Sequence, residues 1–130
     1  LAACCEIAKK YSATVLLKGA GTLIAGSAMT GEQAKAGGGA TDSAAELSLW
    51  LCPYGNPGMA SGGMGDVLAG IIGGLLAQGC LCTFLCTCLC TCLGACLHSV
   101  AADRAAAASG ERGLLASDLF VPLRQLVNGQ

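Results

Sequence analysis

The sequence has few charged and few aromatic residues. Of its 130 residues only 12% are charged and 4% are aromatic, and there is a single histidine. Seven Lys and Arg against eight Asp and Glu give a net charge of −1. A protein that binds nucleic acid through its phosphates needs a basic face, and this balance argues against one. Intrinsic disorder is disfavoured too, because 54% of the residues are hydrophobic.

Cysteine is abundant, but seven of the ten cysteines fall between Cys80 and Cys96. A disulfide scaffold needs cysteines spread through loops, so we expect free thiols in a reduced, cytoplasmic setting. Strict alternation of cysteines is also not the paired spacing of structural zinc sites. We interpret the tract, residues 80–96, as a helix that packs through two stripes: Cys82, Cys86 and Cys90, and Cys88, Cys92 and Cys96. A cysteine-rich metal-binding module is the alternative.

A long uncharged stretch, from Val67 to Ala102, is sufficient in length to span a bilayer. It contains five glycines, Gln78 and several threonines, and no basic cluster flanks it to set an orientation. Buried helices of an α/β protein give the same hydropathy. We therefore expect no membrane span, and a membrane-associated module is the alternative.

The order of predicted elements is strands followed by helices, which indicates the α/β class. Short runs rich in β-formers predict strands, and apolar residues at helical spacing predict helices. The predicted elements are a helix over Leu1–Tyr11, a candidate hairpin of strands Thr14–Leu17 and Thr22–Ala25, a strand over Leu47–Leu51, helices over Val67–Ala77 and Cys80–Ala108, and a last helix capped by Ser117. The Gly- and Ala-rich segment from Gly26 to Ala45 predicts a flexible excursion.

A glycine-rich loop, Asn56 to Asp66, leads directly into the predicted helix at Val67. Glycines let a backbone approach a ligand closely, and successive N–H groups at a helix N-terminus bind phosphate. The predicted anion hole consists of Gly62, Gly63, Met64 and Gly65. Asp66 at its mouth can accept the proton of an attacking hydroxyl. The loop lacks the Lys-Ser/Thr end of a P-loop and the register of a dinucleotide fingerprint, and a plain glycine-rich turn is the alternative.

The segment Ser61–Gly70 resembles the signature of the NAD(P)H-hydrate dehydratases, which belong to the ribokinase-like superfamily. Further segments agree in order and spacing: Leu17–Thr22 with the family's nucleotide-binding turn, Asn56–Ala60 with the approach to its anion hole, Ile71–Gly79 with the helix that follows, and Gly113–Leu119 with its C-terminal element. The pattern is most similar to the bacterial enzymes.

This resemblance implies a three-layer α/β/α fold, with residues 1–130 forming the C-terminal half of the domain. It implies that ADP (or ATP) phosphorylates the ring hydroxyl of hydrated NADH or NADPH, and that loss of phosphate then restores the cofactor. Asp66 matches the family's base and substrate contact. The adenine nucleotide would be bound by Lys18, Gly19, Ala20, Gly21, Thr22 and Gly65. Mg²⁺ is the expected metal, held mainly by phosphates and water.

The resemblance also implies partners beyond this chain, and it has departures. A homo-oligomer and an N-terminal epimerase domain in the parent protein are expected. The family's His-Pro-Gly-Glu substrate motif is absent, so the isolated 130 residues are expected to be nearly inactive, and His98 is interpreted as structural. A ribokinase-like small-molecule kinase is the alternative enzyme, because that superfamily shares the glycine-rich hole and the Asp base.

Overall fold

The structure is a computed structural model that describes residues 1–19, 21–27, 47–78 and 84–129. Its elements in chain order are α1 (Ala2–Tyr11), β1 (Val15–Leu17), β2 (Thr22–Ser27), β3 (Leu47–Cys52), α2 (Met64–Ala77), α3 (Phe84–Ser109) and α4 (Phe120–Val127), with single 3₁₀ turns at Pro57–Ala60 and Ala116–Leu119. The α/β class predicted from the sequence is confirmed. Residues 28–45 of the predicted excursion lie outside the described residues, whereas its first two residues, Gly26 and Ser27, belong to β2.

The three strands form one antiparallel sheet in the order β1-β2-β3. The predicted hairpin is confirmed, with Leu17 opposite Leu23 across β1 and β2. Gly21 in the connecting turn has a φ of 84°, which suits glycine because it has no Cβ. On the other side of β2, Ile24 lies opposite Trp50 of β3.

Helices cover both faces of this sheet, because successive side chains of β2 point in opposite directions. Ala25 is buried against Cys4 and Ala8 of α1 on one face. Ile24 is buried with Ala95 of α3 on the other face. The chain therefore has the predicted three-layer α/β/α arrangement, with α1 and α3 as the outer layers.

Helix α2 begins at Met64, three residues before the predicted start at Val67. Gly63 precedes it in a left-handed conformation, with a φ of 82°. The Met64 side chain is only 2% exposed and packs in a core with Ala101 and Ala105 of α3. An apolar residue at position 64 is compatible with a loop and with a first helical turn, so the sequence pattern does not locate the start of the helix. The packing of Met64 against α3 locates it. As a result Asp66 lies in the first helical turn rather than before it.

Cys88, Cys92 and Cys96 of α3 pack in the core, as their predicted stripe requires. Cys88 is fully buried against Gly26 of β2, and the other two pack with the core around Ile24. None of the cysteines whose side chains the structure describes forms a disulfide: Cys4, Cys5, Cys52, Cys88, Cys90, Cys92 and Cys96. Cys80 and Cys82 lie outside the described residues.

The C-terminal region starts differently from its prediction. Ser117 is not the cap of the last helix but part of the 3₁₀ turn that precedes α4. The side chain of Asp118 instead accepts a hydrogen bond from the N–H of Leu115 at 2.8 Å, and Leu119 is fully buried. Among the helices of the described ranges, none combines the length and hydrophobicity needed to cross a bilayer.

Candidate functional site

A cavity of about 750 Å³ opens between the β1–β2 turn, the loop after β3 and α3. Its wall includes four of the residues predicted to bind nucleotide, namely Lys18, Gly19, Gly21 and Thr22. The opposite wall comes from residues 53–57, Met59 and Ala60, and the floor from Leu68, Ala95, His98 and Ser99. The fifth predicted residue of the turn, Ala20, lies outside the described residues.

Lys18 lies beside the first turn of α2, although the two are far apart in the sequence. A Cβ atom added to Gly65 would lie 3.3 Å from the Nζ of Lys18. Glycine at position 65 therefore leaves the room in which the exposed ammonium approaches the helix. The first N–H groups of a helix have no partner within it, and the helix dipole attracts anions to the same end. A lysine at such an end adds a full positive charge, which makes the place suitable for a phosphate.

The glycine-rich loop presents backbone rather than side chains at this helix end. Gly63 can have no larger side chain without strain, since its φ is positive and an added Cβ would lie 3.1 Å from Ala116. The Met64 side chain is buried in the core, so it leaves the exposed surface of the loop to its neighbours. Gly62, Gly65 and Asp66 are exposed, and like Gly63 and Met64 they are not among the residues that line the cavity. The anion hole and the role of Asp66 stay predictions.

His98 is buried, as its structural interpretation requires, but it also forms part of the cavity floor. It is 2% exposed, it hydrogen-bonds the backbone of Met64, and its Nε2 has no hydrogen-bond partner. Burial lowers the pKa of His98 and the nearby charge of Lys18 lowers it further, whereas the bond to Met64 opposes the shift. The neutral imidazole thus connects α3 to the first residue of α2.

Sequence analysis missed a polar connection between α3 and the loop after β3. The Asp103 carboxylate accepts hydrogen bonds from the N–H of Gly55 at 3.2 Å and from the side-chain amide of Asn56 at 2.9 Å. The Oδ1 of Asn56 accepts the N–H of Gly58 at 3.0 Å. One signal was present in the sequence: Asp103 is the lone acid of α3, and it shares a helical face with Ser99 four residues before it.

The described part of the chain offers no ready-made metal site. Among the described residues, no three His, Cys, Asp or Glu side chains come close enough together to hold a metal ion. Asp66 is the one acidic residue in the first turn of α2.

Comparisons with known proteins agree on one family. The family model described as NAD(P)H-hydrate dehydratase matches residues 1–124. The chain is 46% identical to the bifunctional NAD(P)H-hydrate repair enzyme of Coxiella burnetii and 41% identical to that of Escherichia coli, in each case over 95% of this chain. It is 39% identical to the bifunctional NAD(P)H-hydrate repair enzyme of Leishmania infantum over 98% of this chain.

These relatives are much longer than the chain. The matched region is 20% of the Coxiella and Leishmania proteins and 19% of the E. coli protein. Among solved structures, Bacillus subtilis YxkO of the UPF0031 family superposes with a TM-score of 0.66 over 98% of this chain and 39% of YxkO, at 23% sequence identity. That similarity shows the fold alone. From the family model and the relatives together, the chain belongs to the NAD(P)H-hydrate dehydratase family.

Proposed function

We propose that the chain is the nucleotide- and phosphate-binding part of an enzyme that dehydrates hydrated NADH and NADPH, using ADP or ATP. Family membership supports the substrate class. The observation that carries the proposal within this chain is the Lys18 ammonium at Gly65, since it joins the nucleotide turn to the N-terminus of α2. A kinase acting on another small molecule would use the same arrangement, so the substrate has to be tested directly.

In the proposed reaction the ring hydroxyl of the hydrate attacks the terminal phosphorus of the nucleotide. Asp66 accepts the hydroxyl proton, and the N–H groups of Gly62 to Gly65 stabilise the charge on the transferred phosphoryl group. Lys18 adds positive charge at the same place and holds the nucleotide's phosphates. Phosphate then leaves the ring together with a proton of the neighbouring carbon, which restores NADH or NADPH. Mg²⁺, when bound to the phosphates, would supply further charge neutralisation.

We also propose that these 130 residues form the C-terminal half of a longer domain. The support is that the matched region is only 20% and 19% of relatives that are named as bifunctional enzymes. In the complete natural protein an epimerase domain would precede this one. Exposed leucines on the sheet, Leu17, Leu49 and Leu51, would be covered by the rest of the domain or by a second copy in a homo-oligomer. The described cysteines, which form no disulfide, suit the reducing cytoplasm.

The test uses the complete natural protein that carries this sequence. Incubated with hydrated NADPH, Mg²⁺ and either ADP or ATP, it should regenerate the absorbance of NADPH with one of the two nucleotides. Regeneration with neither nucleotide would refute the proposed function, and transfer to a vitamin precursor instead would establish the kinase.

The base is tested by Asp66→Asn. We expect turnover to fall on the order of 100- to 10,000-fold, which is the usual contribution of a general base, while nucleotide affinity stays near that of the unchanged protein. Glu6→Gln removes an exposed carboxylate of α1 and serves as the matched control. Full turnover by Asp66→Asn would show that another group accepts the proton.

A further inference from the structure

Asn56 and Asp103 connect the loop after β3 to α3 through hydrogen bonds that use most of their polar atoms. Both oxygens of Asp103 accept donors of the loop, one from the N–H of Gly55 and one from the side-chain amide of Asn56. The oxygen of Asn56 in turn accepts the N–H of Gly58. Both side chains are half-buried, where such bonds gain strength from partial exclusion of water.

The loop held in this way is a wall of the cavity. Gly55, Asn56 and Pro57 line it directly, and so does Met59 in the 3₁₀ turn that follows. The loop is folded tightly onto itself at this point: Gly55 has a φ of 122°, and a Cβ added there would lie 2.9 Å from the sulfur of Met59. The same stretch of chain leads, within a few residues, into Gly63 and the first turn of α2.

We propose that Asn56 and Asp103 are a positioning pair that sets the distance between this wall and the N-terminus of α2, and thereby the binding of the ligand in the cavity. The proposal rests on the proposed function for the identity of that ligand. Neither residue is assigned a chemical step. The acceptors of Asp103 are engaged by loop donors, so its carboxylate serves to hold the loop and not to move a proton.

The pattern of donors and acceptors makes the pair testable by exchange. Asp103→Asn puts an amide donor against either the N–H of Gly55 or the amide of Asn56, whichever way the new side chain turns. Asn56→Asp places two carboxylates against each other. The double variant Asn56→Asp with Asp103→Asn restores all three bonds, because the carboxylate at position 56 accepts from Gly58 and from the new amide, whose oxygen accepts from Gly55. It also keeps the total charge.

The experiment measures KM and kcat for hydrated NADPH on the complete natural protein, well below the melting temperature of each variant. Each single variant is expected to lower kcat/KM on the order of 10- to 100-fold, mainly by raising KM. The reason is that a displaced cavity wall no longer aligns the bound substrate correctly. The exchanged double variant is expected to recover within a few-fold of the unchanged protein. Glu6→Gln, another carboxylate-to-amide change, controls for charge alone.

A purely structural pair gives a different result. Single variants that melt at lower temperature but keep the kinetic constants of the unchanged protein would overturn the proposal, and so would an exchanged variant that recovers its melting temperature without recovering KM. Hydrogen exchange of residues 54–60 is measured in parallel and does not depend on the reaction. If the unchanged protein is inactive, the proposed function fails. The pair is then judged by the hydrogen-exchange rates of residues 54–60. Faster exchange in both single variants, with the original rates restored in the double variant, supports the pair. Unchanged rates refute it.

Discussion

Gly94 of α3 allows a close approach of α2, and replacing it should separate the two helices. A Cβ at this position would lie 2.6 Å from Cγ1 and 3.5 Å from Cα of Ile72, whereas ordinary contacts begin at 3.4 Å. The two helices would have to move apart by about 0.8 Å at this point, or Ile72 would have to leave its rotamer. Overpacking of this kind costs about 1–3 kcal/mol, against which alanine returns about 1 kcal/mol of helix propensity. We expect Gly94→Ala to destabilise the protein by about 1 kcal/mol.

A matched glycine-to-alanine substitution in α2 is expected to change the stability in the opposite direction. Gly73 lies inside α2, and apart from its chain neighbours and the nearby backbone of its own helix, no described atom is within 4 Å of a Cβ added there. Gly73→Ala should therefore stabilise the protein by about 0.5–1 kcal/mol. Thermal unfolding and hydrogen exchange of α2 and α3 measure both variants, and about 1 kcal/mol corresponds to a few degrees of melting temperature. Equal stability of Gly94→Ala and Gly73→Ala would refute the reasoning.

A double variant isolates the contact itself. Ile72→Ala removes the Cγ1 atom that the new Cβ would meet, so Gly94→Ala should cost less in that background than in the unchanged protein. The difference between the two costs is the coupling energy, which we expect to reach about 1 kcal/mol. A coupling energy of zero would show that Gly94 is needed for a reason other than Ile72.

Lys18→Gln should weaken nucleotide binding about 10- to 100-fold, as loss of a charge-assisted hydrogen bond does, and calorimetric titration against the exposed control Lys9→Gln tests this. The pKa of His98 lies below its ordinary 6.5 when folded, so the unfolded chain takes up the proton first and stability should fall as the pH drops below about 6.5. Urea unfolding at pH values of about 7.5 and 5.5, on either side of the ordinary value of 6.5, measures this fall in stability. In His98→Gln the part of the fall that is due to His98 should be absent. Burial, with smaller contributions from neighbouring thiols, raises the pKa of Cys92 to about 11, so iodoacetamide at a pH of about 8 should spare it in the folded protein and label it in urea. Mass spectrometry of the labelled peptide decides, and equal labelling in both states would contradict the burial.

Local patterns predicted most of the fold. The hairpin was readable because Leu17 and Leu23 flank a turn with two glycines, and α1 was readable from its helical spacing. Boundaries that depend on distant packing were not. The start of α2 at Met64 depends on its burial against α3, and the 3₁₀ turn around Ser117 depends on the burial of Leu119.

The candidate site divides in the same way. Its glycine-rich loop and Lys18 were identified by motif, because phosphate chemistry imposes local residue types. Asp103 and the floor position of His98 were missed, since each acts through a partner distant in the chain. A single sequence carries no record of such pairings. Ala20 lies outside the described residues, so its predicted role has no structural counterpart here.

Helix α3 is attached at two places, and this limits where the chain can change in length. The Cys88 side chain packs against Gly26 of β2, and Asp103 accepts hydrogen bonds from Gly55 and Asn56 in the loop after β3. The helix between these attachments rises about 22 Å, and each residue added or removed within it would turn one attachment about 100° away from its partner. A change of length before Cys88 leaves the spacing of these two attachments unchanged. Differences in repeat number among close homologues should therefore be found before residue 88 and not between 88 and 103.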